Sequence, residues 1–271
     1  MRNRGKPSSR RRAEPERAGA GARPPRAPAP ETAEQTLRTA AGGLGLTLPP
    51  AFPGQIETYL DELTRWERIG ALTAYRDRAA RVRHLVVESL MLLAVLPEPA
   101  SPLLDIGTGA GVPGLVLKLA RPDWDVVLID AGRRRANFLR HVIRQLALTG
   151  VSVEWGRAEA LATGPLAGRF RTVTMRAVAA GAAAEALAAP FLAPGGALVV
   201  PLGPARRPPG RGVQREVVLT TPGELPWRRQ FLIIPEAEQD TGVPRGSRSA
   251  ADPDHRGREP EGRRREDHDG R

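Results

Sequence analysis

The period of the hydrophobic pattern changes along the chain. The segment QIETYLDELTRWER (55–68) places its apolar residues on one face of a helix, and AARVRHLVVESLMLLAV (79–95) predicts a second helix. From residue 102 onward, short apolar runs alternate with helical segments, which predicts an α/β fold: a doubly wound parallel sheet covered on both faces. The predicted strands are 102–106, 125–130, 151–155, 171–175 and 196–201. The predicted helices are 113–120, 133–148 and an Ala-rich helix ending near 192. The last two β-prone runs, 215–220 and 228–234, have no helix between them and predict a terminal hairpin.

Composition divides the chain into three parts. Residues 1–48 are rich in Pro, Gly, Ala and Arg, and residues 240–271 are almost entirely polar, Gly or Pro, so we expect both tails to be disordered. Residues 49–239 form the expected folded domain, with a helical extension (49–98) and a Rossmann-like core (99–239). The N-terminus has no apolar segment typical of a secretory signal, and no apolar run approaches the length of a membrane span. With no cysteine in the chain, disulfides are excluded, and we expect a cytoplasmic protein.

The charge distribution points to a polyanionic partner. Of the formal net charge of +11, residues 1–48 carry +6 and residues 240–271 carry 0, so the expected domain carries about half of the excess. A basic domain with a basic arm is typical of nucleic-acid binding. A tail that serves only solubility explains the arm equally well, and charge alone leaves both interpretations open.

The segment LLDIGTGAGVPG (103–114) runs from the first predicted strand into a glycine-rich loop. Gly107, Gly109 and Gly111 allow a tight turn and let a ligand approach the backbone closely. Counted from Asp105 the loop matches the D-x-G-x-G-x-G pattern of S-adenosylmethionine sites, whereas counted from Gly109 it matches the G-x-G-x-x-G pattern of dinucleotide sites. A purely structural turn is a third interpretation.

Acidic residues at strand ends favour S-adenosylmethionine. Asp105 can accept the amino group of a methionine moiety, directly or through water, whereas a dinucleotide offers it only phosphates. After the third strand, Ala158 and Glu159 are placed to meet an adenine edge. Asp130 ends the second strand and can accept ribose hydroxyls of either cofactor, or alternatively cap the next helix.

The helix after Asp130 carries a basic stripe opposite its apolar face, formed by Arg133, Asn137, Arg140 and Arg144. A solvated helix face is the simpler explanation of this stripe. Arg134 and Arg135 differ, because cations are disfavoured in the first turn of a helix, and they suggest an anion such as RNA phosphate.

Together these motifs resemble the bacterial 16S rRNA (guanine-N7) methyltransferases of the small subunit, the glucose-inhibited division protein B family. The resemblance covers about 55–203, and more weakly to 234. It is carried by RWERIGALTAYRD (65–77), RH (83–84), LLDIGTGAGVPGLVLKLARPDW (103–124), VVLIDAGRRRANFLRHV (126–142), GRAEAL (156–161) and MRAVA (175–179).

The resemblance implies a Rossmann-like S-adenosylmethionine-dependent methyltransferase with a helical N-terminal extension. Its cofactor contacts, transferred by position, fall on Gly107, Val112, Ala158, Glu159 and Arg176. We expect 16S rRNA or a small ribosomal subunit precursor as partner, a monomeric enzyme, and no metal. The residues expected to bind RNA are Arg76, His84, Arg134, Arg135 and Arg140. No catalytic side chain is assigned, because guanine N7 has a free lone pair and no proton to remove.

Several positions depart from the family pattern. Ala71 stands in place of an Asn, Met175 in place of a small residue, and Leu202 in place of a Lys. Three residues after His84 the family has an acid or an amide where this chain has Val87, and Glu88 comes one residue late, which on an α-helix is a rotation of about 100°. We therefore expect that Glu88 does not take the place of the family's acid or amide. These changes leave open a methyltransferase diverged toward another RNA or a small molecule, and an RNA-binding protein without turnover.

Overall fold

Residues 32–203, 212–220 and 226–236 are described by the structure, which is a computed structural model. Most of both predicted disordered tails, residues 1–31 and 240–271, lies outside the described residues. None of the described helices is long and apolar enough to cross a membrane.

A helix that composition did not predict opens the described chain. The prediction of disorder as far as residue 48 is wrong for helix α1 (Ala33–Gly43). Thr32 and Gln35 form a reciprocal capping box at its start, and Leu37 and Ala40 are buried against the rest of the protein. Burial of one apolar face stabilises this helix despite its Arg-, Ala- and Pro-rich surroundings.

Two further helical segments complete the N-terminal extension. Helix α2 (Phe52–Glu67) buries the predicted apolar face. The second predicted helix, 79–95, is present as α3 (Arg78–Arg81), a π turn (Val82–Val87) and α4 (Glu88–Leu93) in direct succession.

The sheet has seven strands, in the order β3-β2-β1-β4-β5-β7-β6. Strands β1 to β5 are parallel, while β7 is antiparallel to β5 and to β6, so the predicted parallel sheet and terminal hairpin are confirmed. The strands are β1 (Leu103–Ile106), β2 (Val126–Asp130), β3 (Val151–Trp155), β4 (Phe170–Met175), β5 (Leu192–Leu202), β6 (Val213–Leu219) and β7 (Trp227–Pro235). The intervening helices are α5 (Gly114–Ala120), α6 (Arg133–Gln145), α7 (Ala158–Leu161) and α8 (Ala182–Ala188).

The Ala-rich helix ends earlier than predicted. Helix α8 stops at Ala188, a 3₁₀ turn (Ala189–Phe191) follows, and β5 begins at Leu192. Pro190 accounts for the early end, because it offers no N–H to continue the hydrogen bonds of the helix.

Apolar side chains cover both faces of the sheet, as the doubly wound prediction requires. One buried cluster joins the N-terminal helices, α5 and α6 to one face, and the other joins α7 and α8 to the opposite face. Tyr59 of α2 is fully buried in the first cluster, and its hydroxyl donates a 3.0 Å hydrogen bond to the carbonyl of Ala110 in the glycine loop. Burial raises the pKa of the Tyr59 phenol, which keeps it a neutral donor. The helical extension thus supports the loop from behind.

Candidate cofactor site and adjoining pocket

The glycine loop lies at the C-terminal end of β1, where doubly wound sheets bind ligands. Gly107, Gly109 and Gly111 all have positive φ, at +67°, +61° and +94°. A Cβ on Gly107 would lie 2.3 Å from the Val178 side chain, and one on Gly111 would lie 2.9 Å from two leucine side chains. At Gly109 the nearest atom to such a Cβ is the Gly107 carbonyl oxygen at 3.9 Å. Packing explains the outer two glycines, whereas Gly109 faces open space that a ligand could enter.

Asp105 lies beneath this loop and has no solvent exposure. Its Oδ2 accepts a 2.8 Å hydrogen bond from the N–H of Gly114, which joins β1 to the start of α5. Burial raises the pKa of this carboxyl to about 7, against the opposing influence of the Thr108 hydroxyl and the Gly114 amide. The protein itself covers this side chain in the present conformation. Contact with a cofactor amino group, directly or through water, stays a prediction.

Asp130 ends β2 and also faces the protein more than the cleft. It is 2% exposed, and its carboxylate accepts hydrogen bonds from the N–H of Gly109 (2.8 Å), the N–H of Gly132 (2.7 Å) and Nε of Arg135 (2.7 Å). A carboxylate has about four acceptor sites, so one remains for a ribose hydroxyl. Asp130 thus ties the glycine loop to the residue before α6. The alternative prediction that it caps this helix is wrong, because the N-cap is Gly132 and no side chain caps the helix.

The same contact explains a basic residue in the first turn of α6. Arg135 was predicted to meet an RNA phosphate, and the anion that it pairs with in this structure is Asp130. That carboxylate offsets the unfavourable interaction of a cation with the helix N-terminus.

Beyond β3 the two residues predicted to meet adenine occupy the start of a short helix. Ala158 is buried and Glu159 is exposed, in the first turn of α7. Asp130 pairs with Trp155 in the register of β2 and β3, so both residues lie at the same edge of the sheet as Asp130.

Arg176 follows β4 directly, next to the glycine loop, because Ile106 pairs with Met175 in the sheet. Its Nη1 donates a 2.7 Å hydrogen bond to the His84 carbonyl, and its Nη2 lies 3.1 Å from Oε2 of Glu88. Sequence reasoning placed Arg176 at the ligand-facing edge but did not foresee an anionic partner.

Glu88 is the common partner of three basic side chains. Besides Arg176, its carboxylate accepts hydrogen bonds from Arg229 of β7 and from Nδ1 of His84 at 3.1 Å. Neither Glu88 nor Arg229 was predicted as a site residue. The sequence carries little sign of their pairing, because 140 positions separate them and only the fold brings them together.

The π turn explains how Glu88 reaches this place. The Glu88 N–H bonds to the carbonyl of Arg83, five residues back instead of four, so the turn holds one extra residue. The assumption of a regular α-helix before Glu88 is therefore wrong, and whether Glu88 takes the place of the family's acid stays a prediction. Val87, which takes the family's acidic position in sequence, is buried in the apolar core instead.

Two of the predicted RNA-binding arginines make internal contacts. Arg134 donates to the carbonyls of Ile69 (3.1 Å) and Ala71 (2.9 Å), which fixes the turn after α2. Arg140 donates to the carbonyl of Val153 at 2.9 Å, which joins α6 to β3. These contacts give both residues a structural role, and an additional role in RNA binding stays a prediction.

His84 is enclosed by aromatic rings. Its imidazole stacks on Tyr75, with ring centroids 4.5 Å apart, and meets Trp227 edge-on at 5.7 Å. Trp227 also contacts the guanidinium groups of Arg83 and Arg229. His84 also contacts Glu88 through Nδ1 at 3.1 Å, whereas a stacking contact with RNA stays a prediction. Arg76 is exposed on the loop that leads into this aromatic cluster.

An open pocket lies between the glycine loop and the hairpin strand β7, and its empty space of about 310 Å³ includes open solvent. Its wall combines the end of the loop with α4, the ends of β4 and β5, and β7. The lining residues are Glu88, Ser89, Leu92, Val112, Pro113, Arg176, Pro201, Arg229 and Phe231. Val112, predicted as a cofactor contact, therefore lies between the open space at Gly109 and this pocket.

The strand order, the glycine loop after β1 and the acid that ends β2 define a Rossmann-like S-adenosylmethionine-dependent methyltransferase. The helical extension and the motifs within it narrow the class further. The chain belongs to the GidB family, described as rRNA small subunit methyltransferase G, whose sequence model matches residues 54–206.

Relatives from several bacteria show the same similarity. Ribosomal RNA small subunit methyltransferase G of Chloroflexus aggregans is 40% identical over 172 residues, which are 63% of this chain and 72% of that protein. The protein of the same name from Sorangium cellulosum is 38% identical over 173 residues, again 63% and 72% of the two chains. That of Ralstonia nicotianae is 34% identical over 212 residues, which are 73% of this chain and 93% of that protein.

Proposed function

We propose that this protein transfers a methyl group from S-adenosylmethionine to N7 of a guanine in 16S rRNA. The observation that carries the proposal is the open space at Gly109, which adjoins a second pocket across Val112 and Pro113. One space suits a nucleoside cofactor held by backbone, and the other suits an acceptor base. The family to which the chain belongs is described as acting on ribosomal RNA of the small subunit.

The residues at the sheet edge fit S-adenosylmethionine by their chemistry. Backbone at Gly107 and Gly109 would accommodate the methionine portion, and the remaining acceptor site of Asp130 suits a ribose hydroxyl. Ala158 and Glu159 would meet the adenine. Oδ1 of Asp105 is buried without a hydrogen-bond partner among the described residues, and a water held below the amino group of the cofactor would satisfy it.

The chemistry requires positioning more than acid–base catalysis. When bound, the cofactor supplies an electrophilic methyl group on its sulfonium. Guanine N7 attacks with its own lone pair, so no side chain has to remove a proton, and we assign no catalytic base. The task of the protein is to hold N7 in line with that methyl in a pocket that excludes water. The mostly apolar wall of Leu92, Val112, Pro113, Pro201 and Phe231 suits this task.

We propose that the enzyme acts in the cytoplasm as a monomer, on the small ribosomal subunit or its precursor. Arg76, His84, Arg134, Arg135 and Arg140 remain the proposed RNA contacts. The described part of the chain begins at residue 32, and the basic residues before it would serve as an accessory arm that strengthens RNA binding through phosphate contacts.

The test is the nucleoside content of 16S rRNA from cells with and without the gene, measured by mass spectrometry. We expect one N7-methylguanosine to disappear in its absence and to return when purified protein and S-adenosylmethionine are added to the undermethylated subunits. Methyl transfer to another acceptor would support the diverged enzyme instead. Binding of RNA without any transfer would indicate a non-catalytic binding protein.

A further inference from the structure

The pocket beside the glycine loop contains one carboxylate among its lining residues. Glu88 supplies it, and its side chain is 14% exposed between the guanidinium groups of Arg176 and Arg229. A carboxylate beside a guanidinium in a largely apolar pocket is an arrangement that orients a polar planar ligand.

The Watson–Crick edge of guanine is complementary to this arrangement. Guanine presents two adjacent donors, N1–H and the N2 amino group, followed by the acceptor O6. A carboxylate can accept both donors at once, and a neighbouring guanidinium can donate to O6. Adenine presents an acceptor at N1 and would repel the same carboxylate. Contacts on this edge leave N7 of guanine free on another edge of the ring.

Resting on the proposed function, we propose that Glu88 selects guanine as the acceptor by binding its N1–H and N2 amino groups. The two oxygens are unequally occupied: Oε1 accepts from both Arg229 and His84, whereas Oε2 has Arg176 as its partner among the described residues, at 3.1 Å. Oε2 thus keeps an acceptor site for one guanine donor. The second donor takes a place on Oε1 that Arg229 or His84 gives up.

The π turn is the backbone feature that makes this role available. It puts Glu88 at the pocket while Val87 packs into the core, although the turn holds one residue more than an α-helix would. π turns inside α-helices are rare and occur frequently at functional sites. A carboxylate that accepts from N1–H also favours the reaction itself, because it increases the electron density of the fused purine rings, including that at N7.

The experiment compares guanosine with inosine at the methylated position. Inosine lacks the N2 amino group and keeps N1–H, O6 and N7. The position is first mapped in 16S rRNA, and transcripts with guanosine or inosine there are then methylated by the wild-type protein. One hydrogen bond to a charged group predicts that wild type prefers guanosine by roughly 10- to 100-fold in kcat/KM.

The Glu88→Gln variant should lose this preference. Glutamine keeps the shape of the side chain but replaces one acceptor oxygen by a donor, so kcat/KM for guanosine falls by about 10- to 100-fold while that for inosine changes less, and the ratio moves toward one. Glu62→Gln is the matched control, because Glu62 is a buried glutamate that, like Glu88, contacts a histidine, His141, but it lies on α2 outside the pocket. It should keep the wild-type ratio.

Equal losses of kcat/KM for guanosine and inosine in Glu88→Gln would leave the guanosine-to-inosine ratio unchanged. That result would show a purely structural role and overturn the inference. If Glu88→Gln does not fold, Glu88→Asp takes its place, since it keeps the charge but withdraws it by one methylene. We then expect weakened guanosine methylation with a smaller guanosine-to-inosine ratio and normal calorimetric binding of S-adenosylmethionine. Failure of the wild-type protein to methylate any guanosine overturns the proposed function, and the inference with it.

Discussion

Replacement of Gly109 by alanine tests whether the loop holds the cofactor through its bare backbone. At φ +61° an added Cβ costs about 1 to 2 kcal/mol of folding free energy. It meets no protein atom closer than 3.9 Å, so no steric clash adds to this cost. For a domain of this size we expect the Tm to fall by roughly 2 to 8 °C. The new methyl group lies in the space assigned to the cofactor, and we expect the Kd for S-adenosylmethionine to rise at least about tenfold, which corresponds to 1.4 kcal/mol.

Gly168→Ala is the matched control. Gly168 has φ +63° and no atom within 4 Å of an added Cβ, but it precedes β4, at the opposite end of the sheet. Both variants should lose similar stability in thermal unfolding, and only Gly109→Ala should lose affinity in calorimetry with S-adenosylmethionine or its demethylated product. Equal cofactor affinity in the two variants would refute the assignment of this space to the cofactor.

Three further predictions concern residues that the structure assigns to internal roles. Because burial raises the pKa of Asp105 to about 7, its contribution to stability is present below about pH 4 and is lost as pH rises to about 7. Asp105→Asn should abolish this dependence in denaturant unfolding followed across pH, and an unchanged slope would contradict the buried, protonated state. Arg134→Ala should lower the Tm by loosening the turn after α2, with little effect on the salt dependence of RNA binding. Arg76→Ala should reduce the slope of log affinity against log salt concentration by about 1, without loss of Tm. The reverse result would restore Arg134 as a phosphate contact. Deletion of Val87 should convert the π turn to α-helix and leave a folded protein, whereas deletion of the exposed Asn137 in the regular helix α6 should rotate the rest of that helix and destabilise it more, as judged by Tm. Greater damage from the Val87 deletion would show that the π turn does not absorb the extra residue.

Local sequence signals gave the architecture because each depends on neighbouring residues. The change from helical to strand periodicity near residue 102 predicts the parallel sheet, and the spacing of Gly107, Gly109 and Gly111 predicts the ligand-binding loop. Helix α1 had a local signal as well, the capping box between Thr32 and Gln35, but the composition of the surrounding tail concealed it.

Long-range contacts decided what the charged residues of the site do. Asp130 looks open to a ribose in sequence, yet its acceptor sites are mostly occupied once α6 brings Arg135 to it. Likewise Arg134 follows the glycine loop by about twenty positions but finds its partners in the turn after α2, more than sixty positions earlier. A side chain's hydrogen-bond partners depend on which segments the fold packs against it, and local periodicity carries no information about that.

The sequence by itself therefore determined the fold class, the location of the cofactor loop and the family, since these follow from patterns within short segments. Only the tertiary structure decided that Asp105 is buried beneath the loop, and that Glu88 and Arg229 meet in one pocket. The physical reason is that burial and ion pairing depend on atoms from distant parts of the chain. The π turn before Glu88 illustrates the division, because the additional residue is visible in the sequence but the backbone geometry that accommodates it is not.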